Sequence, residues 1–94
     1  MMDTTFGLSV GQVVMSKAGR DKGRIFLILD IIDDSYVSIV DGKYRKLENP
    51  KRKKIKHLIV YKDVIEEFKE KVEKGIGMND AFVRRSLEPY RKDF

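Results

Sequence analysis

The sequence predicts a mainly β fold, a small curled antiparallel barrel followed by a helical C-terminal extension. Three observations carry this. Short apolar runs fill the first two thirds of the chain, and glycines or acidic residues punctuate them. Beyond Tyr61 the apolar spacing changes to that of a helix, with Glu and Lys on the opposite face. The chain has 94 residues and no cysteine, so a single domain over 1–94 is expected, without a disulfide or thiolate–metal staple.

The elements follow in order. Residues 1–7 read as a frayed lead-in. Gln12 to Lys17 is a short strand opened by Gly11. The loop Ala18 to Lys22 reverses the chain, with Gly19 and Gly23 able to take positive φ at little cost. Gly23 to Asp33 is the longest strand. It is apolar on one face at Ile25, Leu27, Leu29 and Ile31, and on the other at Phe26, Ile28 and Ile32, so something must cover the second face. Asp33-Asp34-Ser35 is a turn, supported by acid side chains bonding to backbone N–H. Tyr36 to Val40 alternates as a strand, and Asp41-Gly42 signals a two-residue hairpin. That makes Lys43 to Leu47 the return strand and Glu48 to Lys54, with Pro50 and four consecutive basic residues, a loop. Lys56 to Val60 is the last short strand.

The helical part begins with Asp63 as N-cap and Glu66 three residues later, in the manner of a capping box. Val64, Ile65, Phe68 and Val72 share one helix face, and Gly75 ends the helix. Asn79 or Asp80 caps a second helix carrying Phe82, Val83 and Leu87, and Pro89 discourages its continuation. Tyr90 to Phe94 reads as a loose tail. The stripe of the first helix is expected to cover Phe26, Ile28 and Ile32. The alternative is an autonomous barrel with a mobile helical tail.

Charge is concentrated. Lys43 to Lys56 holds eight Lys/Arg and one Glu, a net +7 against +5 for the whole chain, so the other residues sum to −2. Such asymmetry points to an anionic partner, nucleic acid before membrane. The N-terminal MMDTTFGLSV carries an acid where a signal peptide has basic residues. The longest uncharged apolar run is Ile25 to Leu29, far short of a membrane span. The expectation is a soluble, cytoplasmic protein with no membrane partner.

Residues for catalysis are lacking. No nucleophile–base pair, nucleophile elbow or phosphate-loop motif occurs, so neither enzyme activity nor a cofactor is expected. The single histidine, His57, has no second soft ligand nearby, so no metal site is expected. His57 reads as a surface residue or one bonded to backbone, with RNA stacking or a phosphate contact as the rival reading. Asp33-Asp34 reads as turn chemistry rather than a cation site.

The basic constellation has two parts. Lys17, Arg20, Lys22 and Arg24 surround the Ala18 to Gly23 loop. Lys43, Arg45, Lys46, Lys51, Arg52, Lys53, Lys54 and Lys56 form the second part. A run of Lys and Arg is often only solvated surface. Here Tyr44 and His57 interleave with the charges and offer planar groups for an unpaired base. Tyr44 stays open between cross-strand packing and stacking. In Lys51 to Lys56, lysine outnumbers arginine. Lysine is a point charge suited to dense phosphates, whereas arginine suits bidentate reading of a base edge, so shape and phosphate recognition are favoured.

Gly11, Val13, Ser16, Lys17, Gly19, Asp21, Lys22, Gly23 and Ile25 follow the KOW motif, and the pattern continues through Val40-Asp41-Gly42, Arg45-Lys46-Leu47 and Pro50 to Leu58. Over about Leu8 to Val60 the chain resembles small KOW-domain RNA-binding proteins related to a group of large-subunit ribosomal proteins. The resemblance implies an SH3-like barrel over 8–61 with a helical extension over 62–94. It implies a protein, monomeric when free, that binds ribosomal RNA, with other ribosomal proteins as further partners. KOW domains of transcription elongation factors touch proteins instead, so a protein-interaction module is the alternative. The last thirty residues are nearly charge-balanced, where ribosomal tails are often basic and extended. Ribosomal protein and assembly or accessory factor therefore both stay open.

Overall fold

The computed structural model describes residues 4–91. Five strands form one antiparallel sheet: β1 (Gln12–Ser16), β2 (Ile25–Ile31), β3 (Tyr36–Val40), β4 (Lys51–Lys54) and β5 (Leu58–Val64), in the order β4-β3-β2-β1-β5. A 3-10 turn, Ile55–His57, carries the chain from one edge strand to the other. Register shifts between Gln12 and Val14 and between Ile28 and Asp30 mark irregularities in β1 and β2, of the kind that bends a strand. The sheet curls into a small SH3-like barrel, with α1 (Glu66–Lys74) and α2 (Asp80–Leu87) forming the C-terminal extension.

Strand alternation divides the core in two. Val14, Phe26, Ile28, Val37 and Ile39 point to one face and pack with Ile55 and Leu58, filling the barrel interior. Val13, Leu27 and Val40 point to the other face and pack with Phe68 of α1 and Phe82, Val83 and Leu87 of α2. The second face of β2 is covered by helix, as the two-sided apolar pattern requires. The face differs from the expectation: the helices cover Leu27, while Phe26 and Ile28 are inside the barrel and Ile32 is exposed. Alternation sorts residues into two sets but does not state which set the sheet curls around.

Three further expectations are corrected. Lys43 to Leu47 is a looped excursion, and the return strand paired with β3 is Lys51–Lys54. Asp41 causes the excursion, because its Oδ1 accepts from the backbone N–H of Lys43 at 2.9 Å and of Arg45 at 2.8 Å. The capping box does not form: Asp63 lies in β5, and the α1 N-cap is Ile65, whose N–H donates to Gly11 O at 2.8 Å. Pairing with β1 thus holds the chain extended to Val64, and Glu66 and Glu67 supply the negative charge that the helix N-terminus favours. Finally, the described part of the lead-in, residues 4–7, is anchored, while 1–3 lie outside the described residues. Thr5 is buried, donating its N–H to Asp34 O at 3.0 Å and its hydroxyl to Asp33 O at 2.6 Å. Asn79 caps α2, its Oδ1 accepting from Phe82 N–H at 2.8 Å. Tyr90 lies in a 3-10 turn, and the rest of the expected tail, 92–94, lies outside the described residues.

Candidate nucleic-acid interface

The candidate interface is built around the loop between β1 and β2. Gly23 N–H donates to Ser16 O at 2.7 Å, and Ser16 N–H to Arg24 O at 3.0 Å, closing the loop base as a tight hairpin. The Ser16 hydroxyl donates to Ala18 O at 3.0 Å. Gly19 and Gly23 take φ of 79° and 86°, which side-chain-bearing residues rarely adopt. Arg20 and Lys22 are exposed at its tip and Lys17 is half-buried.

Asp21 turns inward. It is 2% exposed, and its Oδ1 and Oδ2 accept from Arg24 Nη1 and Arg45 Nη2, each at 3.2 Å. A buried carboxylate bonded to two guanidinium groups orders both. It ties the loop to the 41–47 excursion. Arg24 also stacks over the Tyr44 ring, 3.6 Å from its centroid, with Lys43 Nζ at 5.1 Å. Tyr44 is itself about half exposed, at 53%. It makes no cross-strand pair because it stands on a loop rather than a strand.

The second basic segment reaches the same loop from the other side. Lys53, buried and opposite Val37 in β3, donates its ammonium to Ala18 O at 3.0 Å. His57 is exposed, and its carbonyl accepts from Lys17 N–H at 3.0 Å. On the adjacent face, Arg52 and Lys54 stand over the Tyr36 ring at 4.5 and 5.8 Å. Lys51 and Lys54 are half-buried along β4, while Arg52 and Lys56 are exposed, as is Lys46 on the excursion.

The fold therefore brings together the two groups of basic residues that lie far apart in sequence. Among the described residues the salt bridges are the two at Asp21. Arg24, Arg45 and Lys53 are committed to protein partners, whereas Arg20, Lys22, Lys43, Lys46, Arg52 and Lys56 present charge to solvent. Sequence reasoning passed over Tyr36, which reads as an ordinary strand residue until Lys54 is seen to pair across from it and Arg52, opposite Ser38, to lie over its ring. It also passed over Arg84 and Arg91. Their guanidinium groups donate to Gly42 O at 2.6 Å and Asp41 O at 3.3 Å, and so fasten the excursion that carries Lys43 and Tyr44. Asp80 adds a third clamp, accepting from Leu47 N–H at 2.9 Å.

An SH3-like barrel whose glycine-bounded basic loop joins β1 to β2 defines a KOW-domain protein. No family model matches the sequence. Comparison with individual proteins finds large ribosomal subunit protein eL14 of Pyrobaculum calidifontis, 33% identical over 81 residues that cover 86% of this chain and 72% of that protein. The eL14 of Hyperthermus butylicus is 32% identical over 81 residues, with 86% and 76% covered. That of Desulfurococcus amylolyticus reaches 42% over 53 residues, or 54% of this chain and 53% of that protein. The chain belongs to the eL14 family of large ribosomal subunit proteins.

Proposed function

We propose that the protein binds ribosomal RNA of the large subunit through backbone phosphates, as a non-catalytic ribosomal protein in the cytoplasm. The observation that carries this is the convergence of two basic segments on one rigid loop, through Arg45–Asp21 and Lys53–Ala18. Charges held by a closed hairpin on a barrel lose little entropy when they meet phosphates. The relatives' name, large ribosomal subunit protein, supports the same partner and supports neighbouring ribosomal proteins as further partners. The RNA contacts fall to Lys17, Arg20, Lys22, Lys43, Tyr44, Lys46, Lys51, Arg52, Lys54, Lys56 and His57. Arg24, Arg45 and Lys53 shape the surface as well as charging it.

The test is affinity for a large-subunit ribosomal RNA transcript across a salt series. Each phosphate contact contributes about 0.7–0.9 to the slope of log affinity against log salt. The triple substitution Arg52→Ser, Lys54→Ser and Lys56→Ser is expected to flatten that slope by about 2–3. An unchanged slope in a folded variant removes β4 and the 3-10 turn from the interface. Binding of the native chain that barely responds to salt would favour the protein-interaction reading instead.

A further inference from the structure

A cleft of about 640 Å³ lies beside the KOW loop, between the barrel wall and the C-terminal turn, and it is not explained by phosphate contacts. Its apolar lining comes from Met15 and Ile25, which face each other in the β1–β2 register. Three tyrosines line it: Tyr44 from the excursion, Tyr61 from β5 and Tyr90 from the C-terminal turn. Tyr61 and Tyr90 meet edge to face, with centroids 6.2 Å apart. Three cations line it too, Arg24, Lys43 and Arg91.

The lining is held in place rather than left to chance. Asp63 accepts from Tyr90 OH at 2.6 Å, Asp21 fixes Arg24, and Arg91 is bonded to Asp41 O. Asp41 also lines the cleft, but its Oδ1 is occupied by the N–H groups of Lys43 and Arg45.

We propose that this cleft receives a single unstacked nucleotide of the bound RNA, its base among the tyrosines and its phosphate on Lys43 and Arg91. The proposal rests on the RNA-binding reading and gives it a base-recognition site. The chemistry selects this occupant. Lys43 and Arg91, beside an Arg24 already paired with Asp21, call for an anion, and aromatic walls over an apolar lining call for a flat, polarisable ring. A nucleotide carries both in one unit. The volume falls within the range of about 300–1,000 Å³ usual for small-molecule sites. A bare anion would leave the apolar lining unfilled, and an apolar side chain would leave Lys43 and Arg91 without an anion.

Three probes test it on the full chain: adenosine 5′-monophosphate, ribose 5-phosphate and a large-subunit ribosomal RNA transcript. The nucleotide is expected to shift the amide resonances of Gly23, Tyr44 and Arg91 while leaving those of α1 in place. Ribose 5-phosphate, lacking the base, is expected to bind at least about tenfold more weakly. Stacking of one base is worth about five- to 150-fold in affinity. Tyr44→Ala is therefore expected to weaken both the nucleotide and the transcript by at least about fivefold, without changing the transcript's salt slope. Tyr44→Phe keeps the ring and is expected to restore both.

Equal binding of ribose 5-phosphate and the nucleotide would overturn the proposal, leaving an anion site without base recognition. So would a Tyr44→Ala variant with both affinities within about twofold of the native protein. A transcript bound with steep salt dependence, but no nucleotide shifts at the cleft, would overturn the pocket and leave RNA binding standing. Nucleotide binding at the cleft with no affinity for the transcript would do the reverse.

Discussion

Gly42 shows how one residue couples the loop bearing Lys43 and Tyr44 to the rest of the fold. It has φ of 79°, and a Cβ there would run into the backbone carbonyl of Asp80 at the start of α2. Gly23 has a similar φ of 86° but open space around it. The two positions separate conformational strain from steric exclusion. Gly23→Ala is expected to destabilise by about 1–3 kcal/mol through its dihedral angle alone. Gly42→Ala should cost more and should also displace the loop bearing Lys43 and Tyr44. Comparison of the two variants by chemical denaturation checks the order, and equal losses would show that α2 yields freely. Tyr90 gives a second residue-level expectation. Its hydroxyl donates to Asp63, which holds the phenol above its ordinary value of about 10, with burial and the carboxylate charge acting in the same direction. The neutral phenol is the bonded form. Its stabilising contribution is therefore complete below pH 10 and lost as pH rises through the folded-state value. Of the four tyrosines, Tyr90 is expected to ionise late in a spectrophotometric titration, and Tyr90→Phe to remove that phase.

At the scale of elements, β4 matters most because four consecutive basic residues, Lys51 to Lys54, form a strand. Such a run reads as a loop, since like charges repel and lysine has low strand propensity. An edge strand escapes that rule. It pairs on one side only, with β3, and its side chains alternate between solvent and a face they can partly cover with their methylene stems. Lys53 is the inward member, at 9% exposed, and its ammonium reaches the Ala18 carbonyl. The four residues are therefore not equivalent. Lys53→Ala removes a buried hydrogen bond made by a charged donor, and is expected to destabilise by about 1.5–3 kcal/mol and loosen the KOW loop. Arg52→Ala, at an exposed position, should stay within about 0.5 kcal/mol in stability while weakening RNA binding. Thermal melts alongside RNA titrations distinguish the two. Equal stability losses would show that the Lys53 contact carries nothing.

Across the whole molecule, the helical extension has two jobs. It buries the outer face of the sheet, with Phe68 and Phe82 stacked at 6.5 Å between centroids over Val13, Leu27 and Val40. It also positions the 41–47 loop of the candidate interface through Asp80, Arg84 and Arg91. Phe68 is fully buried, so Phe68→Ala is expected to cost about 3–5 kcal/mol, a large share of the stability of so small a domain. A chain ended after Val64 would expose the whole Leu27 face and release the 41–47 loop. It is expected to melt earlier and to self-associate. A shortened barrel that melted like the native protein and stayed monomeric would mean that the outer face needs no cover.

Much of this was legible in the sequence, for local reasons. Glycines at 19 and 23 and the alternation through β1, β2 and β3 specify a hairpin and its neighbour, because turn conformation and side-chain period are properties of a few consecutive residues. The excess of apolar residues in β2 required a covering element, and the stripe around Phe68 supplied it. Charge asymmetry indicated an anionic partner. Other features were settled only in three dimensions. Which face of β2 lies inside depends on the direction of curl, to which alternation is blind. The end of β5 was set by its pairing with β1, which overrode the local cap signal at Asp63. The clamping of the excursion by Asp80, Arg84 and Arg91 and the pairing of the lysine strand with β3 depend on chain segments distant in sequence, as does the commitment of Arg45 to Asp21 and of Lys53 to Ala18. Sequence fixes what each residue can bond to. Which of those bonds form depends on chain segments brought close by burial of the two apolar faces, and that proximity exists only in the folded molecule.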